Sequence, residues 1–220
     1  SLEGCASARR FIALGGEAGS TLPARMATVD SPSELRTAAG SFHTLVISHG
    51  DFSQRMEEYV AWRESQGYRV ATALVEDVYD EYNGGLPHSA AIKRFIKDAS
   101  NRWGVEYVLL AGDASEDHRR IYSAPEGTVS GSGPDFVPSY SFVMSVSGTY
   151  DDETASSDTW YAFLDGNPDQ DAYPDVFIGR FPVGRDVELR ALLIKIYRNE
   201  TAEPDEIWRR RIVLFSDDAW

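Results

Sequence analysis

A chain of 220 residues, 42% hydrophobic and 12% aromatic, is long and apolar enough to bury one sizeable core and does not have the composition of a disordered protein. Its 35 acids against 21 bases give a formal charge of −14, which argues against a nucleic-acid groove, because phosphate contacts need clustered Lys and Arg. No apolar run approaches the roughly eighteen residues of a membrane span, and the single cysteine, Cys5, leaves no internal disulfide and no cysteine-based zinc site.

Residues 1–40 are rich in Gly, Ala, Ser and Pro and read as a linker or irregular lead-in. From Thr44 a regular rhythm begins. TLVIS (44–48) is a short apolar run of the buried-strand type. After it, Asp51 is a candidate helix cap, and Phe52, Met56, Tyr59, Val60 and Trp62 fall near helical spacing up to Gly67. Residues 68–75 predict a second strand. EDVYDEYNGGLP reads as a turn-rich connection. Ile92, Phe95, Ile96 and Ala99 form the stripe of an amphipathic helix stopped by Gly104, and residues 106–113 predict a third strand.

Residues 114–175 break the rhythm with Pro125, Gly131, Gly133, Pro134 and Pro138, and with a strand pair near residues 136–146. A loop region of this length inside a compact domain is usually functional or tied down. Residues 175–179 then predict a fourth strand. A helix follows from Asp186, with Leu189, Leu192, Leu193 and Ile196 on its buried side, and residues 211–216 predict a fifth strand behind the basic flank Arg209, Arg210, Arg211. Strands alternating with helices imply one α/β unit over residues 41–220: a three-layer α/β/α arrangement around a mainly parallel, doubly wound sheet, with right-handed crossovers.

Ligands of such sheets bind at the carboxyl ends of the strands. The candidates there are His49, Asp51, Glu76, Asp77, Asp113, Arg180, Asp217 and Asp218. Together they could serve general acid–base chemistry, but strand-to-helix loops also favour Asp as a helix cap, and for Asp51 the cap is the better reading. Arg180 leaves the fourth strand on this side, where it can pair with Asp113 or Asp158. The four histidines, His43, His49, His88 and His118, show no metal-ligand spacing, and no phosphate-cradling glycine motif is present, so no nucleotide cofactor is expected. Asp165, Asn167, Asp169, Asp171 and Asp175 form an acidic cluster before the fourth strand. The alternate spacing of the first four suits calcium, although Gln170 and Val176 stand where a hand-type loop needs Gly and Glu. Asp151, Asp152, Glu153 and Asp158 are near in sequence. A solvated Asx-type turn explains the same residues.

TLVISHGDF, EYVAWRESQGYRVATALVEDVYDEYNGG, AAIKRFIKDASNRWGVEYVLLAGDAS, FVPSY, SSDTWYAFLDGN, PDVFIGRFPV and IVLFSDDA, in this order, resemble the front half of the gingipain-type (C25-like) cysteine peptidases over about residues 40–218. The resemblance implies a caspase-like fold of two subdomains, of which this chain resembles the first. It also implies a secreted or cell-surface bacterial parent that cleaves proteins or peptides, and structural calcium. The family's catalytic His, in a Gly-His-Gly segment, and its later Cys match nothing here. The resemblance therefore assigns no catalytic residue, His49 and Cys5 included, and implies a segment inactive without the missing second subdomain, since thiolate attack needs nucleophile and base together. The alternative is a non-catalytic binding or assembly module of a bacterial surface or secretion system.

Overall fold

A computed structural model describes residues 32–115, 134–144, 153–165, 173–203, 209 and 211–214. Four strands form a parallel sheet in the order β2-β1-β3-β6: β1 (Thr44–Ser48), β2 (Val70–Leu74), β3 (Tyr107–Ala111) and β6 (Phe177–Phe181). The register sets Thr44 beside Val70 and Tyr107, and Tyr107 beside Phe177, so the amino ends are level. Two further strands, β4 (Tyr140–Met144) and β5 (Glu153–Ser157), pair antiparallel apart from this sheet.

Alternation along the strands sends side chains to opposite faces. Leu45, Ile47, Ala71, Ala73, Val108 and Leu110 meet α2 (Val75–Asn83) and α3 (Ser89–Trp103) in one core cluster. Val46, Val70 and Ala111 meet α1 (Ser53–Ser65) and α4 (Asp186–Thr201) in the other. The three-layer α/β/α expectation is thus what is observed. Ile92, Phe95 and Ile96 of α3 are fully buried, and each such side chain stabilises the fold by about 1.5–3 kcal/mol. Gly104 ends α3 in the left-handed region (φ 74°), as its position in the sequence predicts.

Four local expectations change. EDVYDEYNGG is not a turn but the helix α2. Val75, Val78, Tyr79 and Tyr82 are its buried stripe, Glu76 and Asp77 sit in its first turn, and Gly84 closes it at φ 61°. The lead-in also contributes to the core. Leu35 is buried, and the Glu81 carboxylate accepts hydrogen bonds from the Ser33 hydroxyl and from the Leu35 and Arg36 amides. The fourth strand starts two residues later than predicted, so Arg180 lies within β6. Finally, among the described residues Arg211–Leu214 carry no strand and Ile212, Val213 and Leu214 are exposed; residues 215 and 216 of the expected strand lie outside the described residues.

Candidate functional site at the carboxyl edge of the sheet

His49 is the first residue after β1. Its Nδ1 accepts the Asp51 amide N–H at 3.1 Å, so the histidine, not Asp51, caps the 3-10 turn Gly50–Phe52 that leads into α1. His88 does the same for α3, accepting from the Ala90 amide at 3.0 Å. An accepting Nδ1 leaves the ring proton on Nε2. That atom lies 3.2 Å from Glu76 Oε1, which also accepts the Gly50 amide at 3.0 Å. The first turn of α2 thus carries the carboxylate that orients the imidazole. Phe136 packs edge-on against the ring at 4.9 Å.

These residues, with Val75, Tyr79, Asp80, Gly85, Pro87 and Asp135, line a cleft of about 350 Å³. Glu76 Oε2 faces no hydrogen-bond partner among the described residues. Burial, then the Asp135 and Glu76 charges, push the Tyr79 phenol well above its ordinary range, so it stays neutral. A larger groove of about 670 Å³ lies at the amino ends, lined by Tyr59, Tyr68, Tyr107, Leu109 and Phe181 among others, with no carboxylate in its wall. The carboxyl edge carries the titratable chemistry. A histidine against a carboxylate can move a proton; among the described residues neither ring nitrogen of His49 has a hydroxyl or thiol partner.

Arg180 is the second feature of this edge. Its side chain is only 10% exposed, and it forms a bidentate pair with Asp158, Nε to Oδ2 and Nη2 to Oδ1, both at 2.7 Å. Nη1 donates to the carbonyls of Gly112 at 2.7 Å and Val137 at 2.6 Å, and the Ser139 hydroxyl donates to Asp158 Oδ1 at 2.7 Å. Of the two expected partners Asp158 is the one observed; the Asp113 side chain accepts from the Ala114 amide instead. Burial alone would raise the Asp158 carboxyl, but the Arg180 hydrogen bonds and charge and the Ser139 hydroxyl outweigh it and hold it below the usual carboxylate range. Gly112 lets these segments meet. Its φ is 140°, and a Cβ there would stand 2.8 Å from the Phe136 Cβ. The neutral partners Ser139, Gly112 and Val137 escaped the sequence reading, as did Phe136; Pro138 within FVPSY marked the place without showing what held it.

For calcium, Asn167, Asp169 and Asp171 lie outside the described residues, as do Asp151 and Asp152. Asp175 Oδ2 accepts the Leu164 amide at 2.6 Å, which ties Leu164 to the approach to β6. Among the described residues no three His, Cys, Asp or Glu side chains converge as metal ligands, and Asp165 and Asp175 by themselves do not make a cation site.

The family model for peptidase family C25 matches residues 37–220. The chain belongs to this peptidase family. Among solved structures, dimeric latent PorU from Porphyromonas gingivalis is 24% identical over 77% of this chain and 16% of its own, with a TM-score of 0.60, which shows the shared fold. The complex of the pro- and mature domains of RgpB from the same organism is 23% identical over 71% of this chain and 28% of its own, with a TM-score of 0.48. No curated protein matches. The C25 chain described here therefore spans less than a third of either structural relative. The caspase-like α/β fold implied by the resemblance is the one found.

Proposed function

We propose that these residues are the scaffold half of a gingipain-like cysteine endopeptidase acting on proteins, inactive alone, whose catalytic His and Cys come from the second subdomain. The observation that carries this reading is a mismatch inside the family match. The C25 model covers residues 37–220, yet the sole cysteine, Cys5, lies before it. A peptidase of this class cannot form its acyl-enzyme without a thiolate and its base in reach of each other. The role of the 41–220 unit is then to present the carboxyl edge around His49, Glu76 and Phe136 as one wall of the substrate cleft.

The test is cleavage of a peptide library by this chain, with and without iodoacetamide. No thiol-dependent cleavage is expected, and alkylation of Cys5 changes nothing. Cleavage abolished by iodoacetamide overturns the reading. A full-length protein that cleaves nothing and lacks a Gly-His-Gly segment and a later Cys would be a binding module instead.

Two finer elements belong to the same reading. The parent is secreted or held at a bacterial cell surface, which fractionation of a producing culture tests. The stretch from Asp165 to Asp175 binds calcium through its carboxylates; oxygen ligands of this kind suit a hard cation, which would stiffen the entry to β6. Support for the metal is the alternate acidic spacing alone. Millimolar calcium should raise the melting temperature; no shift removes the metal from the proposal.

A further inference from the structure

Two histidines cap helical turns in the same way but stand in different surroundings. His49 Nδ1 accepts the Asp51 amide at 3.1 Å and His88 Nδ1 accepts the Ala90 amide at 3.0 Å, so each ring caps through a lone pair that it has only while that nitrogen carries no proton. Among the described residues no carboxylate pairs with the His88 ring. His49 has one near each ring nitrogen: Asp51 Oδ2 lies 3.6 Å from Nδ1 and Glu76 Oε1 lies 3.2 Å from Nε2. The other ionisable groups of its cleft are Tyr79 and Asp80 on α2 and Asp135 beside Phe136, and among the described residues no lysine or arginine lines it. The apolar neighbours of the ring are Phe52 at 6.3 Å and Phe136 at 4.9 Å.

Imidazole is the side chain that changes charge between about pH 5 and pH 8. A proton on Nδ1 turns the capping acceptor into a donor. At His49 it then faces the Asp51 N–H with a hydrogen of its own, and the two must part. The carboxylate of that same residue is in place to accept the new N–H. Asp51 can exchange one contact for the other, because its side chain is 70% exposed and water can take up the released amide. Glu76 stays where it is, since the Gly50 amide holds its Oε1 at 3.0 Å whatever the charge of the ring. At His88 the same proton only removes a cap.

We propose that His49 is a proton-operated latch on the carboxyl edge of the sheet. Neutral, it holds the Asp51 amide and closes the turn Gly50–Phe52 that leads into α1. Protonated, it releases that amide and bridges the Asp51 and Glu76 carboxylates. The turn carries Phe52, which is 2% exposed and packs on Phe136 at 5.0 Å, so the latch acts on both aromatic side chains that flank the ring. The edge then meets a ligand in two forms: a closed turn beside a neutral ring, and a loosened turn beside a cation held between two acids. That bearing on substrate rests on the reading of this edge as a wall of the peptidase cleft. The latch itself does not, so its failure leaves that reading standing and the failure of that reading leaves the latch standing.

The test is a titration of the whole isotope-labelled chain from about pH 8 to pH 5, followed by NMR. At the upper end the His49 ring should carry its proton on Nε2. As that ring protonates, the Asp51 amide proton should move upfield and, after allowance for the intrinsic pH dependence, exchange at least about tenfold faster. The Asp51 carboxyl carbon should show a second inflection at the same pH. The Ala90 amide should be released as His88 protonates, with no carboxyl carbon following that ring. His49→Asn, which caps at every pH, should hold the Asp51 amide throughout. An Asp51 amide that stays unchanged while the wild-type ring protonates overturns the proposal, as does a neutral His49 ring with its proton on Nδ1. Release of the amide without the carboxyl inflection overturns it too, because His49 would then behave as His88 does. So does release with falling pH in the His49→Asn variant, because another group would then drive the change.

Discussion

The two halves of the domain are held together differently. In residues 44–111, the three strands β1, β2 and β3 and the helices α1, α2 and α3 are joined by contiguous apolar contacts, with Leu45, Ile47, Phe95 and Leu110 almost fully out of water. Among the described residues between 134 and 181, Val137, Tyr161, Ala162 and Val176 join that apolar core, and a polar knot is added to it: one buried guanidinium gathers Asp158, Gly112 and Val137, with Ser139 on the same carboxylate. Apolar burial is tolerant of detail and spread over many side chains. A buried ion pair concentrates the same job in one residue, and its loss leaves an uncompensated charge.

The contrast can be broken at several points. Phe95→Ala should cost the most, about 3–5 kcal/mol, from lost burial plus the cavity left behind, read as a lower urea midpoint with unchanged slope. Arg180→Met should follow at about 3 kcal/mol, because Asp158 remains three-quarters buried without its partner. Pairing it with Asp158→Leu should recover part of that loss, whereas additive losses would show that the two side chains do not act as a unit. Gly112→Ala should cost about 1–3 kcal/mol, since the residue must hold φ 140° and push against Phe136.

Acid should act on the same knot. Asp158 has a depressed folded-state value, so its contribution is full above the unfolded carboxyl value of about 3.9 and is lost as pH falls through the lower folded value. Between pH 5 and pH 3 the wild-type midpoint should therefore fall more than that of Arg180→Met/Asp158→Leu; parallel curves would remove this assignment. Least of all, Glu200→Gln should change stability by under about 1 kcal/mol, because its bidentate pair with Arg63 between α1 and α4 is partly in solvent.

The same contrast explains what could be read before the structure. The stripe Ile92, Phe95, Ile96, Ala99 and the runs TLVIS and YVLLA declare helix and strand because their periodicity is local. VEDVYDEYNGG carried an equally good stripe at Val75, Val78, Tyr79 and Tyr82, but its acids and closing glycines masked it; two of those acids, Glu76 and Asp77, are where a helix favours them, in its first turn. The Arg180 cluster was half legible. Charge named Asp158 as a partner, while backbone carbonyls, which every residue has, leave no mark in a sequence. Likewise nothing local shows that the carboxylate beside His49 comes from Glu76, twenty-seven positions on (76 − 49).

One consequence lies in how residues 116–133 join the domain. The chain leaves and re-enters at nearly one point: the Ser115 amide donates to Asp135 Oδ1 at 3.1 Å, and the Asp113 carbonyl accepts the amides of Phe136 and Val137. Such a neck separates the length of what it encloses from the stability of what lies behind it. Doubling the length of chain between two such closed ends adds only about 0.6 kcal/mol of closure cost. Sequence can therefore be inserted, exchanged or tagged between Ser115 and Pro134 while the His49 edge stays in register, which makes this neck a natural port for new specificity and for a probe.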